Sequence, residues 1–482
     1  MRYFLVFSCS RCDNSRRNDW ILKESDTEPA RRMNMNQDIY EVKCPKKINR
    51  TVMVETAVPG SKSITNRALL LAAMAEGTST IKGCLTSEDA RHFLECLKTL
   101  GFPVEETSDM GLGSNVTITG YGGAIPIKKA EIYVGSAGTA ARFLVAMLAF
   151  SDGEYIVNSS EQMKKRPMQP LIDSLKNAGA IVECLEEEGR FPLHIIGAKD
   201  KKAIPDSFTV NIDKSSQFLS ALLIAVGTLG KQAEIHVVGA HGLSYVDLTA
   251  EMMKSFGITV EKKAVNGQIK YIFSGDGSYR AMEYDVEPDM SAAAYFYALA
   301  AVLGTKVAVK GVKANMLQGD VEFLHVLEKM GCEIQKLKNG DIAVFGTEDG
   351  KLKGGFTIDM SAFSDQALTL AAIAPFADAP ITITGIGHIR LQECDRINAI
   401  AKNLTELGIR VDEKTDEVTI YPGMPRSGEV ETYDDHRVAM SFALTGLRTE
   451  GVCILNPSCC KKTFAEYFEE LDKVLTKLMA EC

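Results

Sequence analysis

Ser63-Ile64-Thr65-Asn66-Arg67-Ala68-Leu69-Leu70 opens an apolar, alanine-rich helix with a cluster of hydroxyl, amide and guanidinium groups. The same kind of opening recurs as Thr139-Ala140-Ala141-Arg142-Phe143-Leu144 and Ser216-Gln217-Phe218-Leu219-Ser220-Ala221. It returns as Ser291-Ala292-Ala293-Ala294-Tyr295, Ser364-Asp365-Gln366-Ala367-Leu368 and Asp435-His436-Arg437-Val438-Ala439-Met440. In the first unit, an apolar helix over 68–75 leads through a glycine turn into a β-type run at 79–82. An irregular loop and an amphipathic helix over 89–100 follow, and Gly101 stops that helix. The closing glycines Gly101, Gly179, Gly257, Gly331 and Gly408 are, by subtraction, 78, 78, 74 and 77 residues apart. Such a period is too long for a solenoid repeat of about 20–50 residues. It suits a whole βαβ-type unit.

Strand signals after the glycines alternate or are β-branched, at 116–119, 193–196, 271–273, 342–345 and 418–421. Strand and helix alternate throughout, which predicts an α/β class. Antiparallel pairs around each closing glycine rule out a simple doubly wound sheet. Six units divide into two domains of three. The expected boundaries are 61–284 for the first domain and 41–60 plus 285–482 for the second, with 41–60 lending a strand. Residues 1–40 do not match the repeats and are expected to be a disordered extension, or an artefact of start choice with Met35 the true start.

The chain of 482 residues exceeds the roughly 250–300 at which a single core stops growing. With 45% hydrophobic and 24% charged residues it has a globular composition. No apolar run approaches the roughly 20 residues that span a bilayer, so no membrane role is expected. A net charge of −9 argues against a nucleic-acid surface and requires any anion site to be locally basic. Twelve cysteines are scattered without regular spacing. The lone Cys9-Ser10-Arg11-Cys12 has no second pair, so no metal site is predicted and the thiols read as reduced and cytoplasmic.

Helix starts present unpaired N–H groups and the positive end of a dipole, and so bind anions. Ordinary capping explains each serine singly. It does not explain Lys62 and Arg67 in the first unit or Arg437 in the sixth, because a buried apolar helix has no use for a first-turn cation unless an anion meets it. More cations sit in the irregular loops, in Met163-Lys164-Lys165-Arg166-Pro167, Arg390-Leu391-Gln392-Glu393-Cys394-Asp395-Arg396 and Cys459-Cys460-Lys461-Lys462-Thr463-Phe464. Recurrence at one place in the unit points to a shared cleft.

These residues carry a resemblance. Val58-Pro59-Gly60-Ser61-Lys62-Ser63-Ile64-Thr65-Asn66-Arg67-Ala68 resembles the N-terminal signature of the 5-enolpyruvylshikimate-3-phosphate synthases. Gly135-Ser136-Ala137-Gly138-Thr139-Ala140-Ala141-Arg142 and Leu391-Gln392-Glu393-Cys394-Asp395-Arg396 resemble its later signatures. Lys214-Ser215-Ser216-Gln217-Phe218, Tyr433-Asp434-Asp435-His436-Arg437 and Lys462-Thr463-Phe464 match in order, and the likeness runs from about 47 to 478. It implies an α/β fold of two similar domains, each three βαβαββ units in an enolpyruvyl transferase prism (an inside-out α/β barrel), with ligands in the cleft between. It also implies transfer of the enolpyruvyl group of phosphoenolpyruvate to the 5-hydroxyl of shikimate 3-phosphate, with no cofactor, by a cytoplasmic monomer.

By the same resemblance, Lys62, Gly138, Arg166, Gln217, Arg396, Arg437 and Lys462 would hold phosphoenolpyruvate. Lys62, Ser63, Arg67, Ser215, Ser216, Gln217, Tyr245, Asp365 and Gln392 would hold shikimate 3-phosphate. Asp365 matches the base at the 5-hydroxyl, Glu393 the group that protonates the methylene carbon and later removes that proton, and Lys62 is counted with them as catalytic. Two phosphates and two carboxylates bring roughly −5 to −6 of charge, against the six cations Lys62, Arg67, Arg166, Arg396, Arg437 and Lys462, three from each half. Facing clusters of like charge are expected to repel and to close only on a ligand. Departures are Gln392 where the family usually has Lys, His388 where some members have Asn, Gly242 where Ser is common (with Ser244 as expected substitute) and Phe143 where many have Pro. Two alternatives are UDP-N-acetylglucosamine enolpyruvyl transferase, whose loop cysteine has no counterpart at 159–167, and an inactive phosphosugar-binding homologue.

Overall fold

Six helices are buried on every side, and the fold follows from hiding them. In the computed structural model, which describes residues 38–108, 113–348 and 350–479, every residue of Gly138–Ala149, Met290–Leu303, Ala367–Ile373 and His436–Gly446 is buried. Lys62–Met74 and Gln217–Val226 are buried beyond their first one or two residues. Helices apolar all round cannot lie on a surface. Gly138–Ala149 packs against Gln217–Val226 and Lys62–Met74, while Met290–Leu303, Ala367–Ile373 and His436–Gly446 pack together. Two separate hydrophobic cores result, one drawn from residues 64–279 and one from 42–58 and 290–478. The residues around each are called the first and second half below.

Amphipathic helices and six small sheets cover these bundles. Five sheets have four strands in one pattern. Lys129–Tyr133 runs parallel to Glu154–Asn158, which runs antiparallel to Leu193–Ile196, which runs antiparallel to Ile181–Cys184. That is the expected βαβαββ unit, with an antiparallel hairpin that begins just past the predicted glycine Gly179. The sixth sheet has three strands, Gly428–Val430 parallel and Ile39–Glu41 antiparallel to Val452–Leu455. Among the described residues no sheet closes into a barrel, and no helix is long and apolar enough to cross a membrane.

Two units borrow an edge strand across the molecule. Met53–Thr56 runs parallel to Lys306–Val309. Glu283–Asp285 pairs with Thr80, Ile81 and Lys82. The chain therefore passes between the halves twice, and the two passages zip together. Ser61 N–H donates to Glu287 O at 2.8 Å, and Asp289 N–H donates to Pro59 O at 2.8 Å.

The expected N-terminal extension falls outside the described residues up to 37, and so does Cys9–Cys12. Its limit near 40 is too long. Ile39 and Tyr40 belong to a strand, and the Tyr40 hydroxyl donates to Asp472 Oδ1 at 2.8 Å. A three-residue strand carries no periodicity of its own, and its partner lies some 400 residues along the chain.

Gly60 sits where the two passages meet, and an added Cβ would lie 2.0 Å from Gly83 O. Backbone cannot swing aside as a side chain can, so Gly60→Ala should cost about 1–3 kcal/mol, read as a lower midpoint in chemical denaturation.

Candidate active site

Because the six central helices are buried along their lengths, only their N-termini can reach solvent, and the N-termini of five of them line one cavity. Its space between atoms, counting the open mouth, is about 960 Å³, within the range of small-ligand pockets. Its walls include Lys62, Ser63, Arg67, Gly138, Thr139, Arg142, Arg166, Ser215, Ser216, Gln217 and Tyr245 from the first half. The second half supplies Asp365, His388, Gln392, Glu393, Arg396 and Arg437. Every residue named from sequence is therefore brought together except Lys462. Its ammonium lies off the cavity wall, donating to Gln162 Oε1 at 2.6 Å and to Asp434 Oδ2 at 3.1 Å.

In the second half the cations are matched by carboxylates. Arg396, 1% exposed, donates through Nε to Asp435 Oδ2 at 2.8 Å, through Nη2 to Glu393 Oε2 at 2.8 Å and through Nη1 to Asp365 Oδ1 at 3.0 Å. Arg437 Nη2 donates to Asp365 Oδ2 at 2.7 Å. Asp435 also caps the helix His436–Gly446, accepting from Arg437 N–H at 2.9 Å. The turn before it is strained, since Tyr433 and Asp434 both have left-handed backbones at φ 53° and 55°.

The first half is different. Arg67 (2% exposed) donates to neutral oxygens only, Thr249 Oγ1 at 2.7 Å, Ser63 O at 2.9 Å, Tyr245 O at 3.0 Å and Ser220 Oγ at 3.4 Å. Burial pulls its guanidinium down to about 10. Arg142 donates to Gly138 O at 3.0 Å and Pro167 O at 3.3 Å, and its buried Nε has no partner among the described residues. Burial, then the neighbouring Arg166, pull Arg142 well down. An arginine held this way is stabilised by an anion.

The expected repulsion between halves is therefore corrected. The sequence count left out Asp365, Glu393 and Asp435, which neutralise the second half. The halves meet as unlike surfaces, with Arg166 Nη1 lying 3.6 Å from Glu393 Oε1. Gln162 Nε2 donates to Glu393 O at 3.3 Å, and Tyr245 hydroxyl to Asp320 Oδ2 at 3.4 Å.

Burial alone would push Glu393 up, but Arg396, Arg166 and Lys62 outweigh it and hold the carboxyl well below its usual range. At Asp365 burial is likewise outweighed, by Arg437 and Arg396, and the carboxyl is lowered. Two glycines have steric reasons. A Cβ on Gly138 would lie 2.4 Å from Arg166 Nη1 and 2.7 Å from Arg142 Nη1, so that glycine makes room for converging guanidiniums. Gly242, at φ +64°, would place a Cβ 2.7 Å from Ser216 Oγ, so a serine there would strain the backbone and displace the Ser216 hydroxyl. Nor does Ser244 substitute for it at the cavity, since its hydroxyl donates to Ala362 O.

Sequence reasoning did not single out Arg142 and Asp435 as site residues. Arg142 carried the same signal as Arg67, a cation near the start of an apolar helix. Asp435 carried none, because a helix cap and a buried counter-ion look alike in sequence.

Solved structures share this architecture. EPSP synthase from Acinetobacter baumannii superposes with TM-score 0.71 at 25% identity, covering 90% of this chain and 98% of that one. The enolpyruvyl transferase NikO from Streptomyces tendae gives 0.68 at 14% identity, covering 90% and 97%. The fold is that of the enolpyruvyl transferases. Within that class, residues 44–471 match the family described as EPSP synthase (3-phosphoshikimate 1-carboxyvinyltransferase). The 3-phosphoshikimate 1-carboxyvinyltransferase of Nostoc punctiforme is 40% identical over 429 residues, 89% of this chain and 98% of that one. The 3-phosphoshikimate 1-carboxyvinyltransferase 2 of Halalkalibacterium halodurans is 41% identical over 433 residues, 89% and 93%. The chain belongs to the EPSP synthase family.

Two outcomes follow from the charge network. Asp435→Asn removes a fully buried partner of Arg396 and should cost about 3 kcal/mol, the low end for a broken buried pair because Asp365 and Glu393 still face it, read by urea denaturation. Burial, then Asp365, push Asp320 up to about 6. A carboxyl raised on folding makes the native state bind more protons, so its contribution weakens as pH rises from about 4 to about 6. Asp320→Asn should lose that decline, and the stability difference between variant and parent should grow in the variant's favour across that window.

Proposed function

We propose that this chain transfers the enolpyruvyl (1-carboxyvinyl) group of phosphoenolpyruvate to the 5-hydroxyl of shikimate 3-phosphate, releasing phosphate, in the shikimate pathway to chorismate and the aromatic amino acids. The observation that carries the reading is a pair of carboxylates, Asp365 and Glu393, held on one buried guanidinium and faced by Arg67 and Arg142, which have no carboxylate partner among the described residues.

Lys62, Arg166, Arg396 and Arg437, with Gly138 and Gln217, hold phosphoenolpyruvate, and Lys462 joins them only by leaving Gln162 and Asp434. Bidentate guanidiniums suit its carboxylate and phosphate. Ser63, Arg67, Ser215, Ser216, Tyr245 and Gln392 hold shikimate 3-phosphate. Asp365 takes the proton of the 5-hydroxyl as its oxygen attacks C2 of phosphoenolpyruvate. Glu393 gives a proton to the methylene carbon and takes one back when phosphate leaves.

Glu393 must carry a proton to give one, yet its cationic neighbours hold it deprotonated. An incoming phosphate and carboxylate compete for those cations, Arg396, Arg166 and Lys62, and relax the pull on the carboxyl. Substrate binding thus supplies the acid form, which couples protonation to occupancy.

Two domains of three units serve the reaction, 61–284 and 41–60 plus 285–482, with Asp285 on the first domain's side because it pairs with Lys82. The enzyme works as a cytoplasmic monomer, as the family resemblance implies. The loop at 159–167 has no cysteine, which separates it from UDP-N-acetylglucosamine enolpyruvyl transferase.

Phosphate release measured with both substrates tests the reading. The parent should turn over, and Glu393→Gln should lower kcat about 10²–10⁴-fold with binding largely kept. Binding of both substrates without phosphate release by the parent would instead identify an inactive homologue.

A further inference from the structure

The segment that carries Arg166 reaches across the cleft with a second side chain. Gln162 lies in the short helix Glu161–Lys164, whose cap Ser160 accepts from Met163 N–H at 3.2 Å. Its amide meets the second half with both ends. Nε2 donates to Glu393 O at 3.3 Å, and Oε1 accepts from the Lys462 ammonium at 2.6 Å. A backbone carbonyl can only accept and an ammonium can only donate, so an amide is the group that satisfies both.

Lys462, 8% exposed, ends the turn Pro457–Lys462. Besides Gln162, its ammonium donates to Asp434 O and to Asp434 Oδ2, each at 3.1 Å. Its three protons thus meet three oxygens. The ammonium stands one layer behind the cavity wall. It is among the cations acting on Asp89, and Asp89 Oδ2 lies 3.6 Å from the wall residue Lys62. A lysine can cross such a gap by turning its flexible stem.

We propose that Gln162 is a positioning residue for phosphoenolpyruvate: with Asp434 it holds Lys462 behind the cavity wall, and it gives the ammonium up when the ligand's negative groups arrive. This rests on the proposed reaction and deepens it by naming what sets the affinity for that substrate. An ammonium already surrounded by oxygens moves only to a ligand that replaces them. The apparent dissociation constant is then the intrinsic one divided by the fraction of Lys462 that is released. Release strands no buried group, because Gln162 is half-buried and the Asp434 carboxylate is exposed, so water can take both.

Steady-state phosphate release at saturating shikimate 3-phosphate tests this with two variants of similar length. Gln162→Glu sets a negative charge beside the ammonium and tightens its hold, so KM for phosphoenolpyruvate should rise about three- to fivefold. Gln162→Met removes that oxygen, so KM should fall about two- to threefold. Both variants lose the bond to Glu393 O, so the difference between them reads the Lys462 contact alone. In each, kcat should move less than about twofold, because Lys462 has already left Gln162 in the loaded enzyme. KM for shikimate 3-phosphate should stay at the parent's value, and thermal unfolding at the parent's temperature verifies the fold. A residue that merely shaped the cleft would shift KM in the same direction in both variants. That result, or a KM for phosphoenolpyruvate unmoved by Gln162→Glu, would overturn the proposal. Failure of the parent to release phosphate from the two substrates would strike the proposed reaction instead, so the two failures are distinguishable.

Discussion

A guanidinium cannot be left alone in a protein interior, and the site is organised around that constraint at Arg396. Desolvating such an ion costs several kcal/mol, which only well-placed counter-charges and hydrogen bonds offset. Asp435, Glu393 and Asp365 meet it from three separate segments, so one buried cation draws together a helix cap, a loop and a second helix start. The same act positions the two carboxylates assigned to proton transfer. Their geometry is thus a consequence of folding the second half, and their charge is set by the cation that recruited them. Any entering anion must compete with those carboxylates, which makes the site selective for ligands that carry several negative groups at once.

The first half answers the opposite problem. Arg67 and Arg142 are buried against neutral carbonyls, hydroxyls and the Phe143 and Phe218 rings, with centroids 5.4 and 5.8 Å away. Their charge is screened by dipoles and π-faces. One half is thus prepared to receive negative charge and the other already holds it. Attraction across the cleft, as between Arg166 and Glu393, follows from this asymmetry.

Much of this was legible in the chain. The period near 77 residues, the glycine stops and the apolar helices define six repeated α/β units, five of which carry the observed four-stranded sheet, and the strands at 193–196 and 342–345 coincide with those observed. The cations Lys62, Arg67 and Arg437 near the helix starts reveal themselves because apolar helices do not otherwise start that way. The strand Ile39–Glu41 was not legible, since three residues show no period. The pairing of Asp435 with Arg396 was not legible either, since a cap is a sufficient local reason for an aspartate there.

Local chemistry is written residue by residue, so the sequence alone determined which helices must be buried, where they start and which side chains stand at those starts. Which charges meet is a matter of distance in three dimensions, set by how two cores and two antiparallel passages of chain pack. Only the tertiary structure decided that Asp365 and Glu393 share one guanidinium, that Lys462 lies off the cavity wall and that the Gln162 amide of the other half meets it there. Coulomb energy depends on separation and burial, and neither is carried by order along the chain.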